Sequence, residues 1–321
     1  ASVSGMLGLP AITISYPKSG SVTESGPPKR MHTGIDYLSA CWSDSTRRSY
    51  AFDVQDFMRW GGKLPTTTET VGLYLIDRIA THSVHTLKRR LVALRAAHTQ
   101  MGHVDPTNSP YIHRLMRGMQ RIHGTSQRRA RPILREELRQ MHSFMLGMRG
   151  ARDSALLLLG FCAALRRSEL VAINVEDLEF TARGLTVRLA RSKTDQIGQG
   201  RTIAIPRSPN MCAVESVERW VERSGLSMGA LFRSINKANR PEGRLAAQSV
   251  SVVVKEYAAM IGIDPQTVSG HSLRAGFVTS AVRSGASLVS IQRQTGHASL
   301  DMLARYIRTN DPFLNNANDA F

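Results

Sequence analysis

Cysteine, acidic side chains and long apolar runs are all scarce in this 321-residue chain. Its three cysteines, Cys41, Cys162 and Cys212, are odd in number, far apart and without any C-x-x-C spacing. That excludes a disulfide framework and a thiolate zinc site, and it fits a reducing, cytoplasmic setting. Asp and Glu number 25 against 42 Lys and Arg, for a net charge of +17. The excess is carried mostly by arginine, whose planar fork suits phosphate. No apolar run approaches the roughly 18 residues of a spanning helix, so the charge points to nucleic acid rather than to a membrane. An H-E-x-x-H pair, a P-loop and a G-x-S-x-G elbow are also missing, which removes zinc protease, P-loop nucleotide and serine hydrolase chemistry. No metal and no cofactor is expected.

What is present suggests two domains, each long enough to bury a core. Residues 1–30, rich in Ser, Gly and Pro, read as a flexible leader without the layout of a secretory signal. From 31 to 124 helical periodicity recurs without strand alternation, predicting a helical bundle. A first helix starts at a Ser45/Thr46 cap and sets Tyr50, Val54, Phe57 and Met58 on one face. A second runs from about Thr68 to Ala80. The third, Ser83 to about Met101, buries Leu87, Leu91 and Leu94 and leaves Lys88, Arg89, Arg90 and Arg95 as a basic face able to lie along a phosphate backbone. The fourth has Ser109 as N-cap and Pro110 at its first position, then Ile112, Leu115, Met116, Met119 and Ile122 as core. Residues 125–132 are polar, basic and proline-ended, the composition of an inter-domain linker. Arg128, Arg129 and Arg131 there either stay solvated or touch DNA phosphates.

Residues 133–309 are mixed. Helices are expected near Leu134 to Met148 and Asp153 to Leu170, followed by short strands at Leu178–Thr181, Leu185–Leu189 and Thr202–Ile205. Such strands predict a small antiparallel sheet, with the polar connection 190–200 as an extended hairpin loop. Further helices are expected at about Met211–Ser224, Ala247–Ile261, Ser272–Ser284, Ser287–Thr295 and Ser299–Arg308. The fold class is mainly α, a helical N-terminal bundle followed by a mostly α domain with a small antiparallel sheet.

Three segments carry chemistry. In Ala164-Leu-Arg166-Arg-Ser-Glu169, Arg166 and Glu169 are three apart and share a helix face. His271-Ser-Leu-Arg274 repeats that spacing. In Gly296-His297 and the residues after it, Tyr306 stands nine positions beyond the histidine. Singly, each has a plain reading: a core tyrosine, a surface ion pair worth at most about 1 kcal/mol, packed histidines.

Together, R-x-x-E, H-x-x-R and G-H followed by Tyr, in that order in a basic chain, resemble the signature of the tyrosine site-specific recombinases of the phage integrase family. The resemblance spans nearly the whole chain, because the family carries a helical core-binding domain ahead of its catalytic domain. It implies Arg166 and Arg274 as phosphate-binding arginines, Glu169 as the residue steadying Arg166 or His271, His271 and His297 as the two histidines, and Tyr306 as nucleophile. Lys193, in the hairpin loop, is similar in context to the family's catalytic lysine. Cre-like members often carry tryptophan where His297 stands. Ala164 departs from the pattern, since many members have glycine there; the expectation is that this touches packing rather than chemistry.

The implied reaction passes through a pentavalent phosphorus whose charge two guanidinium forks can meet. His271 or His297 accepts the phenol proton, and Lys193 protonates the departing 5′-oxygen. The phosphotyrosyl bond keeps the energy of the broken linkage, so neither ATP nor metal is needed. The resemblance also implies a homotetramer assembled on two DNA sites. Residues 310–321, with Phe313, Leu314 and Phe321, either dock on a neighbouring protomer or fray. Rival readings are a type IB topoisomerase or telomere resolvase with the same chemistry, and a catalytically silent DNA-binding regulator.

Overall fold

In the first part of the chain each described helix starts at a side-chain oxygen. The computed structural model describes residues 42–124, 130–189, 200–209, 211–297, 299–300 and 303, and the chain divides into two compact units between residues 127 and 128. In the first unit, α1 (Asp44–Trp60) opens where Ser43 Oγ accepts from the Thr46 amide at 3.2 Å. The cap is therefore Ser43, and the expected cap pair Ser45/Thr46 lies inside the first turn. Thr67 and Ser83 cap α2 (Thr68–Arg78) and α3 (Val84–Gln100) in the same way. Ser109 caps α4 (Pro110–His123), with proline at its first position; there the missing amide hydrogen costs the helix nothing.

Phe57, Val71, Tyr74, Leu75, Leu87, Leu94, Ile112, Met116 and Met119 form this unit's core. Two residues expected in it are exposed, Met58 by 50% and Ile122 by 80%. The inner face of α1 is Asp53 and Phe57, one turn apart, so Met58 turns outward. Asp53 is buried because α3 supplies its counter-charge. Arg89 Nη2 donates to Asp53 Oδ1 at 2.9 Å, and Arg90 Nη1 lies 2.8 Å from Asp56 Oδ2, which also accepts from Tyr74 Oη at 2.8 Å. This corrects the expected basic face: Arg90 is only 2% exposed and belongs to the interior.

The second unit is built around α6 (Gly147–Cys162), buried almost without interruption from Gly150 to Phe161. A helix buried all round reads as an apolar run, here Ala155-Leu-Leu-Leu-Leu. It follows α5 (Arg135–His142) and is separated from it at Gly147, whose φ of +69° ends any continuous helix. The expected helix from Asp153 to Leu170 is likewise broken. Ala164 sits at φ +49°, and a short new helix, α7 (Arg167–Ala172), starts after Arg166.

Strands β1 (Leu178–Thr181), β2 (Gly184–Leu189) and β3 (Arg201–Pro206) form the predicted antiparallel sheet in the order β1-β2-β3. The register sets Leu178 against Val187, and Val187 against Ile203. Leu185, Val187, Leu189, Ile203 and Ile205 all face the core. After α8 (Ala213–Ser224) comes a second hairpin that the periodicity does not announce, β4 (Arg233–Ile235) with β5 (Pro241–Arg244). Then follow α9 (Ala247–Met260), α10 (His271–Arg283) and α11 (Leu288–Thr295).

Gly276 lets α10 press against the chain entering α5, for a Cβ there would lie 1.7 Å from the Ile133 carbonyl oxygen. At that crossing the Ile133 amide donates to the Ser272 carbonyl at 3.1 Å. Beyond α11, Leu303 is fully buried against Val278, Val282 and Ile291. Most of the expected helix Ser299–Arg308 lies outside the described residues. Among the described residues no helix is long and apolar enough to cross a membrane, and no cluster of His, Cys, Asp or Glu could hold a metal.

Candidate active site

Arg166 is the N-cap of α7 rather than part of a longer helix, so it does not share a helix face with Glu169 in the expected way. The pair still meets, by a different route. Glu169, in the first turn, reaches back so that Oε2 accepts from the Arg166 amide at 2.9 Å and Oε1 accepts from Arg166 Nη1 at 2.6 Å. One carboxylate thus caps the helix and holds the guanidinium. Glu169 is buried, and the Arg166 side chain keeps 20% of its surface.

Arg274 lies in the first turn of α10 and is 1% exposed. Its Nη1 donates to the Ala164 carbonyl at 2.7 Å and its Nη2 to His297 Nε2 at 3.1 Å. The left-handed turn at Ala164 is what aims that carbonyl at Arg274. Ala164 is fully buried and left-handed, a conformation that glycine adopts without strain, and its carbonyl is the one that Arg274 holds.

His297 is buried, with Nδ1 2.6 Å from Thr295 Oγ1. Arginine can only donate, so Nε2 must be the acceptor and Nδ1 carries the hydrogen. Thr295 then accepts from Nδ1 and donates its own proton to the Ile291 carbonyl at 2.8 Å. Burial first, and then the Arg274 and Arg166 charges, lower the His297 pKa to about 4. This imidazole is neutral at pH 7 and its lone pair is committed to Arg274.

His271, first residue of α10, keeps an exposed side. Crowding by protein on its inner side, then the Arg274 and Arg166 charges, lower its pKa as well. Arg166, His271, Arg274 and His297 are therefore one electrostatic cluster assembled from three separated segments.

Sequence reasoning did not single out a further member, Arg201, the first residue of β3. Its Nη1 donates to the Gln294 carbonyl at 3.3 Å, and its Nη2 lies 3.9 Å from Glu169 Oε2. Arg201 Nε and Nη2 are buried without hydrogen-bond partners. Burial lowers its pKa, with Glu169 opposing and Arg166 adding. The available signal was its place in the sequence, eight residues after Lys193.

Lys193, Tyr306, Arg128 and Arg129 lie outside the described residues. Of the remaining basic residues, Lys88 is exposed, Arg95 is 66% exposed with Asp105 at 3.4 Å, and Arg131 pairs with Glu137 at 2.5 Å. Arg89, 43% exposed, is tied to Asp53.

Residues 132–312 match the phage integrase family. The chain is 36% identical over 288 residues to an integrase/recombinase XerD homolog of Selenomonas ruminantium, a match covering 86% of this chain and 84% of that protein. It belongs to the phage integrase family of tyrosine recombinases. Its fold is similar to that of the XerH site-specific recombinase bound to a palindromic difH substrate, with a TM-score of 0.61 at 17% identity, over 85% of this chain and 78% of that one. It is also similar to a lambda integrase dimer, residues 75–356, bound to a COC′ core site, with a TM-score of 0.59 at 18% identity, over 84% of this chain and 90% of the other.

Proposed function

We propose that this chain is a site-specific DNA recombinase that cuts and rejoins strands through a covalent 3′-phosphotyrosyl bond to Tyr306. The observation that carries this reading is the clustering of Arg166, Arg274, His271 and His297 from three separated segments, in a member of the phage integrase family. Two guanidiniums meet the charge on the non-bridging phosphate oxygens as the phosphorus becomes pentavalent. Glu169 steadies the first of them. His297 steadies the second, since its lone pair already accepts from Arg274.

That commitment favours His271 as the acceptor of the tyrosine proton. The phenol oxygen attacks phosphorus, its proton passes to His271, and the bond from phosphorus to the 5′-oxygen breaks. Lys193 supplies the proton that the leaving oxygen needs. The reverse sequence, with a 5′-hydroxyl attacking the phosphotyrosine, reseals the strand, and no ATP or metal takes part.

Residues 31–124 serve as the core-binding domain, 133–309 as the catalytic domain and 125–132 as the linker. Lys88, Arg89, Arg95, Arg128, Arg129 and Arg131 contribute phosphate contacts that hold the duplex without reading it. The working assembly is a homotetramer on two copies of a specific site, with residues 310–321 docking on a neighbour. The test is to mix the protein with genomic DNA of its source, trap covalent adducts and sequence the attached ends. Ends that share one sequence support a site-specific recombinase. Ends of random sequence, with relaxation of any supercoiled plasmid, would mark a topoisomerase instead.

A further inference from the structure

We propose that Arg201 is a positioning residue that shares the Glu169 carboxylate with Arg166. This rests on the recombinase reading above. In the structure Glu169 is spent on Arg166, with both oxygens engaged at 2.6 and 2.9 Å. An Nη1 hydrogen held by Glu169 is not available to a phosphate. If Arg166 turned its fork to substrate, Glu169 Oε2 would keep the Arg166 main-chain amide but Oε1 would lose its partner, and without another cation nearby the buried negative charge would be left uncompensated, which is costly.

Arg201 removes that penalty. Its Nη2 stands 3.9 Å from Glu169 Oε2 and, like Nε, is buried and unpartnered. A shift of about 1 Å brings the two into hydrogen-bond range. Arg201 is also fixed in place from the other side. It donates to the Gln294 carbonyl at 3.3 Å, and Gln294 Nε2 in turn donates to the Cys162 carbonyl at 2.9 Å. Gly296 leaves room for the guanidinium, since a Cβ there would lie 2.1 Å from Arg201 Nη1. Arg201 thereby joins the start of β3, next to the connection bearing Lys193, to Glu169 and to the turn that presents His297. Its charge is also felt at His297.

The test uses the full chain with Arg201→Met or Arg201→Lys, each with and without Glu169→Gln, on a duplex carrying the sequence recovered from covalent adducts of the unaltered protein. Arg201→Met is expected to bind the duplex but to form adduct about 10- to 100-fold more slowly, the size of one charge-assisted hydrogen bond. Arg201→Lys should lose less. In the Glu169→Gln background Arg201→Met should add little, because the carboxylate it partners is gone. An adduct rate equal to the unaltered protein's, or the same loss in both backgrounds, overturns the proposal. If Arg201→Met does not fold, Arg201→Lys carries the same comparison. If the unaltered protein forms no adduct, the functional reading fails, and the His297 titration followed by NMR decides the matter for Arg201. An upward move on replacing Arg201 supports the coupling, and an unchanged titration overturns it.

Discussion

At His297 a single imidazole accepts from Arg274 and is braced by Thr295, and its neutrality has a consequence for stability. In the unfolded chain its pKa returns to about 6.5, whereas in the folded protein it is held near 4. Below pH 6.5 the unfolded state takes up a proton that the folded state refuses, so stability falls as the pH drops toward 4 and is fully present above 6.5. The shift corresponds to about 3 kcal/mol. Urea unfolding at pH 7.5 and 4.5 should show a smaller acid loss in His297→Gln than in the unaltered chain; equal losses would contradict the assignment. A second pair of residues separates interior from surface. Arg90→Ala should destabilise the protein by about 3 kcal/mol, because it takes the buried guanidinium away from Asp56 and leaves Asp53 to the half-exposed Arg89 alone. Lys88→Ala should leave the melting temperature alone, weaken duplex binding and reduce the slope of log affinity against log salt by about 1. The sequence placed both residues on one basic helix face. It could not separate them, because the buried carboxylates that claim Arg90 come from a different helix.

Between α6 and α7 the chain turns through Ala164, and that turn decides where Arg274 points. A left-handed alanine costs about 1–2 kcal/mol relative to the ordinary helical region, and glycine escapes the cost at some entropic loss. Ala164→Gly should therefore raise stability by up to about 1 kcal/mol, or roughly 2–4 °C in a unit of this size, with activity retained because the carbonyl stays in place. A fall in melting temperature would show that the turn is not strained. Elements with strong local signals were legible: the Ser109-Pro110 start of α4, the capped helices α2 and α3, and the alternating strands β2 and β3. The break at Ala164 and the β4–β5 hairpin were not. An alanine within an apolar run carries no breaker signal, and strands of three and four residues are too short for periodicity to register. The Arg166–Glu169 pairing was anticipated on the wrong geometry, because spacing alone does not tell a helix face from a capping contact.

For the whole molecule, motifs far apart in sequence converge on one cluster, and this convergence was legible only because their order resembled a known family. Arg201 belonged to no such motif and emerged from packing. The central claim is that Tyr306 becomes covalently joined to DNA. The most direct measurement is mass spectrometry of protein trapped on its own cleaved duplex, comparing the unaltered chain with Tyr306→Phe. A nucleotide adduct is expected on the tryptic peptide containing Tyr306 and, in Tyr306→Phe, loss of the adduct with duplex binding retained. An adduct that persists in Tyr306→Phe, or that maps to another residue, would contradict the claim.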